Sequence, residues 1–415
     1  MSRVVIIGAG VIGLATAHQL RERDHEVILI DSGDPGNGSS DGNTGWVVPA
    51  LSSPIPAPGL VSQSVRWMLD SDSPLYIKPS AVLRLAPFLW KMRRYCNERD
   101  YARGRAAAAR LNRRTMEAFD GLLGSGLDFE MHQKGLTFVA KDPHYLDDIE
   151  EDVEAISRYG FEAGERLGPS QIRDLEPTLS SDVVGGFHVP DQRHIRPESL
   201  IAALRDYCDA HGVEIRSNTR VTGMREDKSG TRIDAVISTV GEISADYFVI
   251  CAGAASGQVA RSLGHQIPME AGTGYSITTP SAVFDLGSPL YLCDAKVACS
   301  PFEGNTRLAG TMEFSGINGP SDMKRCAAIK RSAQSFFPDL PENAVQNQWS
   351  GMRPITPDGL PVIGFLPNSE NALISSGHGM LGVTLAPVSA EAIADLITSG
   401  TSSDDLTSVD PGRFG

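Results

Sequence analysis

Hydrophobic positions fall into short runs that alternate with amphipathic stretches along most of the chain. Val4 to Ile7 is uniformly apolar and predicts a strand covered on both faces. Gly8-Ala9-Gly10-Val11-Ile12-Gly13 interrupts that run, and a helix-like segment follows from Leu14 to Arg23. Glu26-Val27-Ile28-Leu29-Ile30 forms a second apolar run and ends on Asp31. The order is strand, glycine turn, helix, strand, acid. From Ser32 to Gly45 the chain is rich in glycine and small polar residues. Pro49, Pro54, Pro56 and Pro58 keep it loop-like to residue 60. A loop of that length inside a compact domain is usually functional; this one leaves the strand that ends at Asp31 and reads as a ligand-contacting loop in preference to a flexible linker.

Further along, residues 81–123 read as helical, 134–140 as a strand and 147–159 as an amphipathic helix. Residues 185–190 read as a strand, and Glu198 to His211 as a helix with Pro197 at its start. Strands are predicted at 214–224, 232–239 and 247–250, the last running into Cys251-Ala252-Gly253-Ala254 and a helix. A strand-rich stretch covers 266–345, and 350–398 is again α/β. The fold class expected is α/β, α+β overall, with a Rossmann-type domain interleaved with a mixed-sheet domain. The first would take residues 1–80, 195–265 and 346–400, and the second 81–194 and 266–345. Residues 401–415 read as a polar surface tail.

Charge narrows the partners. The 415-residue chain carries a formal net charge of −14, which argues against nucleic acid. No apolar run reaches the roughly 20 residues of a membrane-spanning helix, and the N-terminal run lacks the features of a signal peptide. A cytoplasmic protein is expected. Against this acidic background, Arg84 to Arg114 holds ten basic residues opposed by Glu98 and Asp100 alone. That stretch reads as a solvated helix face or as a peripheral contact with anionic lipid, on the cytoplasmic membrane face, or with a partner. The six cysteines make no C-x-x-C pair or zinc spacing, so no metal is expected.

The chemistry starts at Gly8, Gly10 and Gly13, a G-x-G-x-x-G in its meaningful strand–turn–helix context. Gly8 permits the turn, Gly10 leaves room for a pyrophosphate, and Gly13 lets the helix approach the strand. Val11 and Ile12 open a helix whose N-terminus suits phosphates. Asp31 can bind a ribose hydroxyl. This motif alone does not separate FAD from NAD. A second glycine-rich turn, Gly377-His378-Gly379-Met380-Leu381-Gly382-Val383-Thr384, opens a helix through Ile397. Its dipoles would suit the negative edge of a reduced flavin, which favours FAD, although the bare pattern also fits an ordinary tight connection. Arg353, in Gly351-Met352-Arg353-Pro354, could clamp a carboxylate or serve a structural ion pair.

With these motifs in place, the chain resembles the D-amino-acid oxidase and glycine oxidase superfamily of FAD-dependent oxidoreductases. Within it, the likeness is to the small-subunit type of bacterial D-amino-acid dehydrogenase. The match runs through Val4 to Asp31, Ser39 to Gly45, Pro49 to Gly59, Val65-Arg66-Trp67-Met68, Cys251 to Ala254, Gly274-Tyr275-Ser276, Gly351 to Pro354 and Gly377 to Gly379.

The resemblance implies that Gly8 to Gly13, Asp31 and Ser32 hold the ADP half of FAD. Ser39, Ser40, Asn43, Thr44 and Gly45 would contact its pyrophosphate, ribityl chain and flavin. Val221 would meet adenine, Cys251, Ala252 and Gly253 would form the turn near the ribose, and Gly377 to Gly382 with Thr384 would line the flavin, beside Arg353. Arg353 and Tyr275 would bind the substrate carboxylate. The implied reaction is oxidative deamination of amino acids, D-amino acids first, to 2-oxo acids and ammonia by hydride transfer from Cα to flavin N5. Quinone or O2 would accept the electrons. Oxidation of a secondary amine, an NAD-dependent dehydrogenase and a non-catalytic FAD-binding protein are the alternatives. Such hydride transfer requires no side-chain base, so His378 reads as a turn residue and His194 as a candidate pocket residue.

Overall fold

The computed structural model describes residues 1–60, 75–317, 319, 321–402 and 404–414. The Val65-Arg66-Trp67-Met68 match lies outside the described residues. Among those described, a six-stranded sheet has the order Glu214–Arg216, Glu26–Ile30, Arg3–Ile7, Tyr247–Ile250, Ala372–Ser376, Val362–Phe365. Its strands are parallel apart from the last pair. The run Val4 to Ile7 is apolar throughout because both faces are covered. Val4 and Ile6 pack with Leu14 of helix Val11–Arg21 and with Leu385 and Ile393 of helix Gly382–Ser399. Val5 and Ile7 face the other way, onto Val236, Ile243 and Ala260. Each such buried side chain contributes about 1.5–3 kcal/mol.

A nine-stranded mixed sheet forms the second layer. Its centre is the antiparallel pair Glu270–Pro280 and Asn305–Phe314, flanked by Asn347–Ile355. Side chains alternate across the pleat. Tyr275 and Ile277 therefore point to the helix Lys324–Phe336, where they meet Cys326 and Ile329. Gly274, Ser276 and Thr278 occupy the opposite face, and Ser276 Oγ donates to the carbonyl of Gly42 in the N-terminal loop at 2.6 Å.

Three local readings differ from the structure. The helical stretch 81–123 is three helices, Val82–Arg93, Glu98–Asn112 and Thr115–Gly124. Asn97 supplies one break, because its side chain caps the second helix by accepting from the Asp100 N–H at 3.0 Å. The expected strand 214–224 is two, Glu214–Arg216 in the six-stranded sheet and Val221–Glu226 in a separate three-stranded one. They part near Asn218, whose φ of +52° suits asparagine better than most residues. The polar run after Gly400 folds back instead of extending. The Val409 carbonyl accepts from the Ile363 N–H, and Arg413 pairs with Asp358 at 2.7 Å. Buried Val409 and Pro411 anchor it.

Candidate functional site

A cavity of about 1140 Å³ runs from the C-terminal ends of the parallel strands to the nine-stranded sheet. That exceeds the usual volume of a single small-molecule pocket and suits a dinucleotide with a substrate beside it. At one end lie Gly8, Gly10, Val11 and Ile12, with Asp31, Ser32 and Val221. Gly8 has a φ of +112°, and a Cβ there would stand 2.3 Å from the Cys251 carbonyl oxygen. Only glycine fits that turn. Gly13 lies outside the lining; it lets helix and strand touch, since its Cβ would be 1.9 Å from the Gly8 carbonyl oxygen. The Asp31 carboxylate accepts from the Ala9 N–H at 2.7 Å and the Gly33 N–H at 2.8 Å. Each oxygen keeps a lone pair for a hydroxyl ligand. These features fit a nucleotide.

The loop at Ser39, Ser40, Asn43 and Thr44 lines the middle of the cavity. It is held from the nine-stranded sheet through three consecutive carbonyls. Gly42 accepts from Ser276 Oγ, Asn43 from Arg307 Nη1 at 2.8 Å, and Thr44 from Ser300 Oγ at 2.8 Å. Within the loop, the Asn43 side chain accepts from the Gly45 N–H at 2.7 Å. The part played by Ser276, Ser300 and Arg307 was not legible in the sequence, because they act from strands more than two hundred residues away. Trp46, which follows the loop, also lines the cavity and donates to Ser300 Oγ at 2.8 Å.

Cys251, Ala252 and Gly253 line the cavity beside the first glycine turn, and Ser376 Oγ donates to the Gly253 carbonyl at 3.1 Å. The second glycine turn contributes His378, Gly379, Met380, Leu381 and Gly382. The His378 side chain turns back onto Ser389 Oγ at 2.9 Å, and burial pulls its pKa down to about 3. It is a neutral turn residue. Gly45, Gly377 and Thr384 do not line the cavity. Thr384 Oγ1 instead donates to the Trp46 carbonyl at 2.8 Å, tying the last helix to the loop.

Arg353 sits at the far end, on strand Asn347–Ile355, with Thr311, Met312 and Ser350 nearby in the lining. Its Nη1 donates to the Thr311 carbonyl at 3.3 Å, and among the described residues it has no ion-pair partner. Burial pulls its pKa down to about 10, so it is charged at neutral pH. A partly desolvated cation without a counter-charge carries a cost that an anionic ligand would offset. The lining carboxylates among the described residues, Asp31 and Asp34, belong to the Gly8 end.

Two expected site residues fall elsewhere. Tyr275 faces the helix side of its strand and is fully buried. Its hydroxyl contacts Glu313 Oε2 at 3.3 Å and accepts from the Asp322 N–H at 2.9 Å. Strand alternation turns it away from Arg353, so it does not bind a ligand in this cavity. Burial pushes its pKa up to about 12. His194 pairs opposite Trp46 in a small sheet, behind the cavity wall. Its Nε2 donates to the Pro301 carbonyl at 2.8 Å, and burial holds its pKa at about 4. Among the described residues, no cluster of histidine, cysteine and acids could hold a metal ion.

Comparison with known proteins shows the family. Residues 3–396 match the family model described as FAD dependent oxidoreductase. A D-amino acid dehydrogenase of Chromohalobacter salexigens is 30% identical, with 99% of each chain covered. One from Vibrio atlanticus is 31% identical, covering 97% of this chain and 98% of that one. Among solved structures, L-proline dehydrogenase from P. horikoshii superposes with a TM-score of 0.77 at 19% identity, covering 100% of this chain and 97% of that one. Glycine oxidase from Geobacillus kaustophilus gives 0.75 at 23%, covering 100% and 99%.

Proposed function

The chain belongs to the family of FAD-dependent oxidoreductases, and from that premise we propose that it oxidises a small amino acid at Cα, D-amino acids first. The observation that carries the substrate claim is Arg353, a half-buried guanidinium without a carboxylate partner among the described residues, at the cavity end away from the nucleotide features. The first glycine turn, Asp31 and the loop Ser39–Thr44 would hold the cofactor, with the second glycine turn along the flavin. FAD, when bound, accepts the hydride lost from Cα.

The protein's own part is binding and orientation. Arg353 clamps the carboxylate bidentately and so fixes which substrate bond faces the cofactor. No histidine is poised to take a proton, since His194 and His378 are buried, neutral and turned away. The substrate therefore reacts with its amine already neutral, and the imino acid leaves to hydrolyse in water. Near Arg353 the described lining includes Ile55, Leu75 and Met312 and lacks acids, which favours apolar over basic substrate side chains.

Electrons then pass to quinone or O2. A membrane-held acceptor is favoured by one surface feature. Helix Val82–Arg93 exposes Leu83 (90%) and Trp90 (59%) beside Lys91 and Arg93. No described helix is long and apolar enough to cross a membrane, so such contact would be peripheral.

The test is anaerobic mixing of the purified protein with paired D- and L-amino acids, sarcosine and hydroxyproline isomers, following the yellow flavin band. Bleaching by D-isomers with apolar side chains is expected. Bleaching by secondary amines alone would move the assignment to those substrates. No bleaching at all would remove the substrate claim while leaving the cofactor site intact.

A further inference from the structure

We propose that Thr311 is a positioning residue that aims Arg353 at the ligand, an inference that rests on the carboxylate role of Arg353. Gly274 pairs with Met312, but the next residue, Tyr275, pairs with Gly310. Thr311 is thus the extra residue of a β-bulge. The strand changes partners on its other edge at the same point, from Val297 opposite Gly310 to Leu75 opposite Met312. Neither ladder pairs Thr311.

Its backbone is also unusual. Thr311 has a φ of +54°, where a β-branched residue is a genuine outlier. Strain of this kind persists where surrounding structure imposes it, and it concentrates at functional sites. Here the bulge frees the Thr311 carbonyl from the sheet, and it accepts from Arg353 Nη1 at 3.3 Å. The other end of the residue is fixed as well. Thr311 Oγ1 accepts from Arg325 Nε at 3.2 Å, and Arg325 is 4% exposed, with its guanidinium 5.4 Å from the Tyr76 ring. One guanidinium holds the hydroxyl, and the carbonyl then holds the other guanidinium.

The consequence is preorganisation. A free arginine side chain samples many rotamers, and a clamp that must find its geometry on binding loses affinity. Arg325 reaches no substrate in this account. It acts through Thr311, and Thr311 acts through Arg353.

The experiment uses the FAD-loaded full chain and two probes of the same shape, propanoate and propanamide, titrated by perturbation of the flavin band. Thr311→Val keeps the shape and removes the hydroxyl acceptor. Propanoate should bind about tenfold more weakly, the scale of one hydrogen bond to a charged group, while propanamide is unchanged. KM for the substrate should rise by a similar factor with kcat within about twofold, and Thr311→Ser should restore both. Thr311→Ala makes the same deletion and replaces Thr311→Val if that variant fails to retain FAD.

Arg353→Leu is the control. If it weakens propanoate and Thr311→Val and Thr311→Ala do not, the positioning role is wrong and the clamp stands. Equal weakening of both probes would also overturn it, as general damage. If Arg353→Leu leaves propanoate binding intact, the carboxylate clamp itself is wrong, and the positioning role falls with it.

Discussion

Gly274 and Arg353 lie on neighbouring strands, and a Cβ at 274 would stand 2.2 Å from the Arg353 guanidinium carbon. The missing side chain is what gives the guanidinium its place. Gly274 has no left-handed backbone to explain it, so the close approach is the reason glycine is there. Gly274→Ala should therefore displace Arg353 without disturbing the nucleotide end. The expected result is a substrate KM raised at least about tenfold, with the ratio of flavin to protein absorbance unchanged. An unaltered KM would mean that the guanidinium can relocate and still bind, and would detach the geometry from the function.

Much of the nucleotide end was legible because local pattern dictates it. Gly8, Gly10 and Asp31 occupy positions that strand–turn–helix–strand geometry fixes within one continuous segment. The substrate end was less legible because it is assembled from distant strands. Arg353 could be named as a candidate, since it stands in Gly351-Met352-Arg353-Pro354 just upstream of the second glycine turn. Gly274 and Thr311 could not, because neither a diagonal contact nor a bulge leaves a mark in the spacing of apolar residues. Tyr275 was misread for a related reason. Which face of a strand a residue occupies depends on register, and a one-residue slip reverses it. The bulge between Gly274 and Tyr275 sits at just that point.

Three buried histidines set an acid limit on stability. Burial holds His18 and His194 at about 4 and His378 at about 3, against an ordinary value of 6.5. Below pH 6.5 the unfolded chain takes up protons at these positions while the folded one does not. Stability therefore falls as pH drops from 6.5 toward 4. At pH 5 the loss is on the order of 1–2 kcal/mol per histidine. Thermal unfolding at pH 7.5, 6 and 5 should show Tm falling by several degrees over the lower interval. His194→Gln should reduce that slope while leaving the pH profile of kcat/KM between 6 and 8 unchanged. A Tm flat down to pH 5 would show that these imidazoles find acceptors or water on protonation.

The helix Val82–Arg93 carries the last prediction. Leu83 and Trp90 are seven residues apart, two helical turns, and so share a face. Lys91, Arg93 and Arg94 flank Trp90, and the helix contains no acid. Elsewhere much of the basic excess is spent internally, as Arg105 pairs with Asp152 and Arg114 with Glu391. The local charge is therefore left at Trp90, in a protein whose net charge of −14 would otherwise repel an anionic surface. Tryptophan beside cations suits the headgroup region of a bilayer. The protein should cosediment with phosphatidylglycerol vesicles and not with phosphatidylcholine ones. Neutralising Lys91, Arg93 and Arg94 to Gln should weaken that binding roughly 100-fold, at about 1 kcal/mol per cation. Trp90→Ala with Leu83→Ser should weaken it further in high salt, where the electrostatic part is screened. Flavin reduction by substrate should be untouched in both variants, since Leu83, Trp90, Lys91, Arg93 and Arg94 line no part of the cavity. If binding to the two vesicle types is equal and insensitive to these changes, the helix is a solvated face and the electron acceptor reaches the flavin by another route.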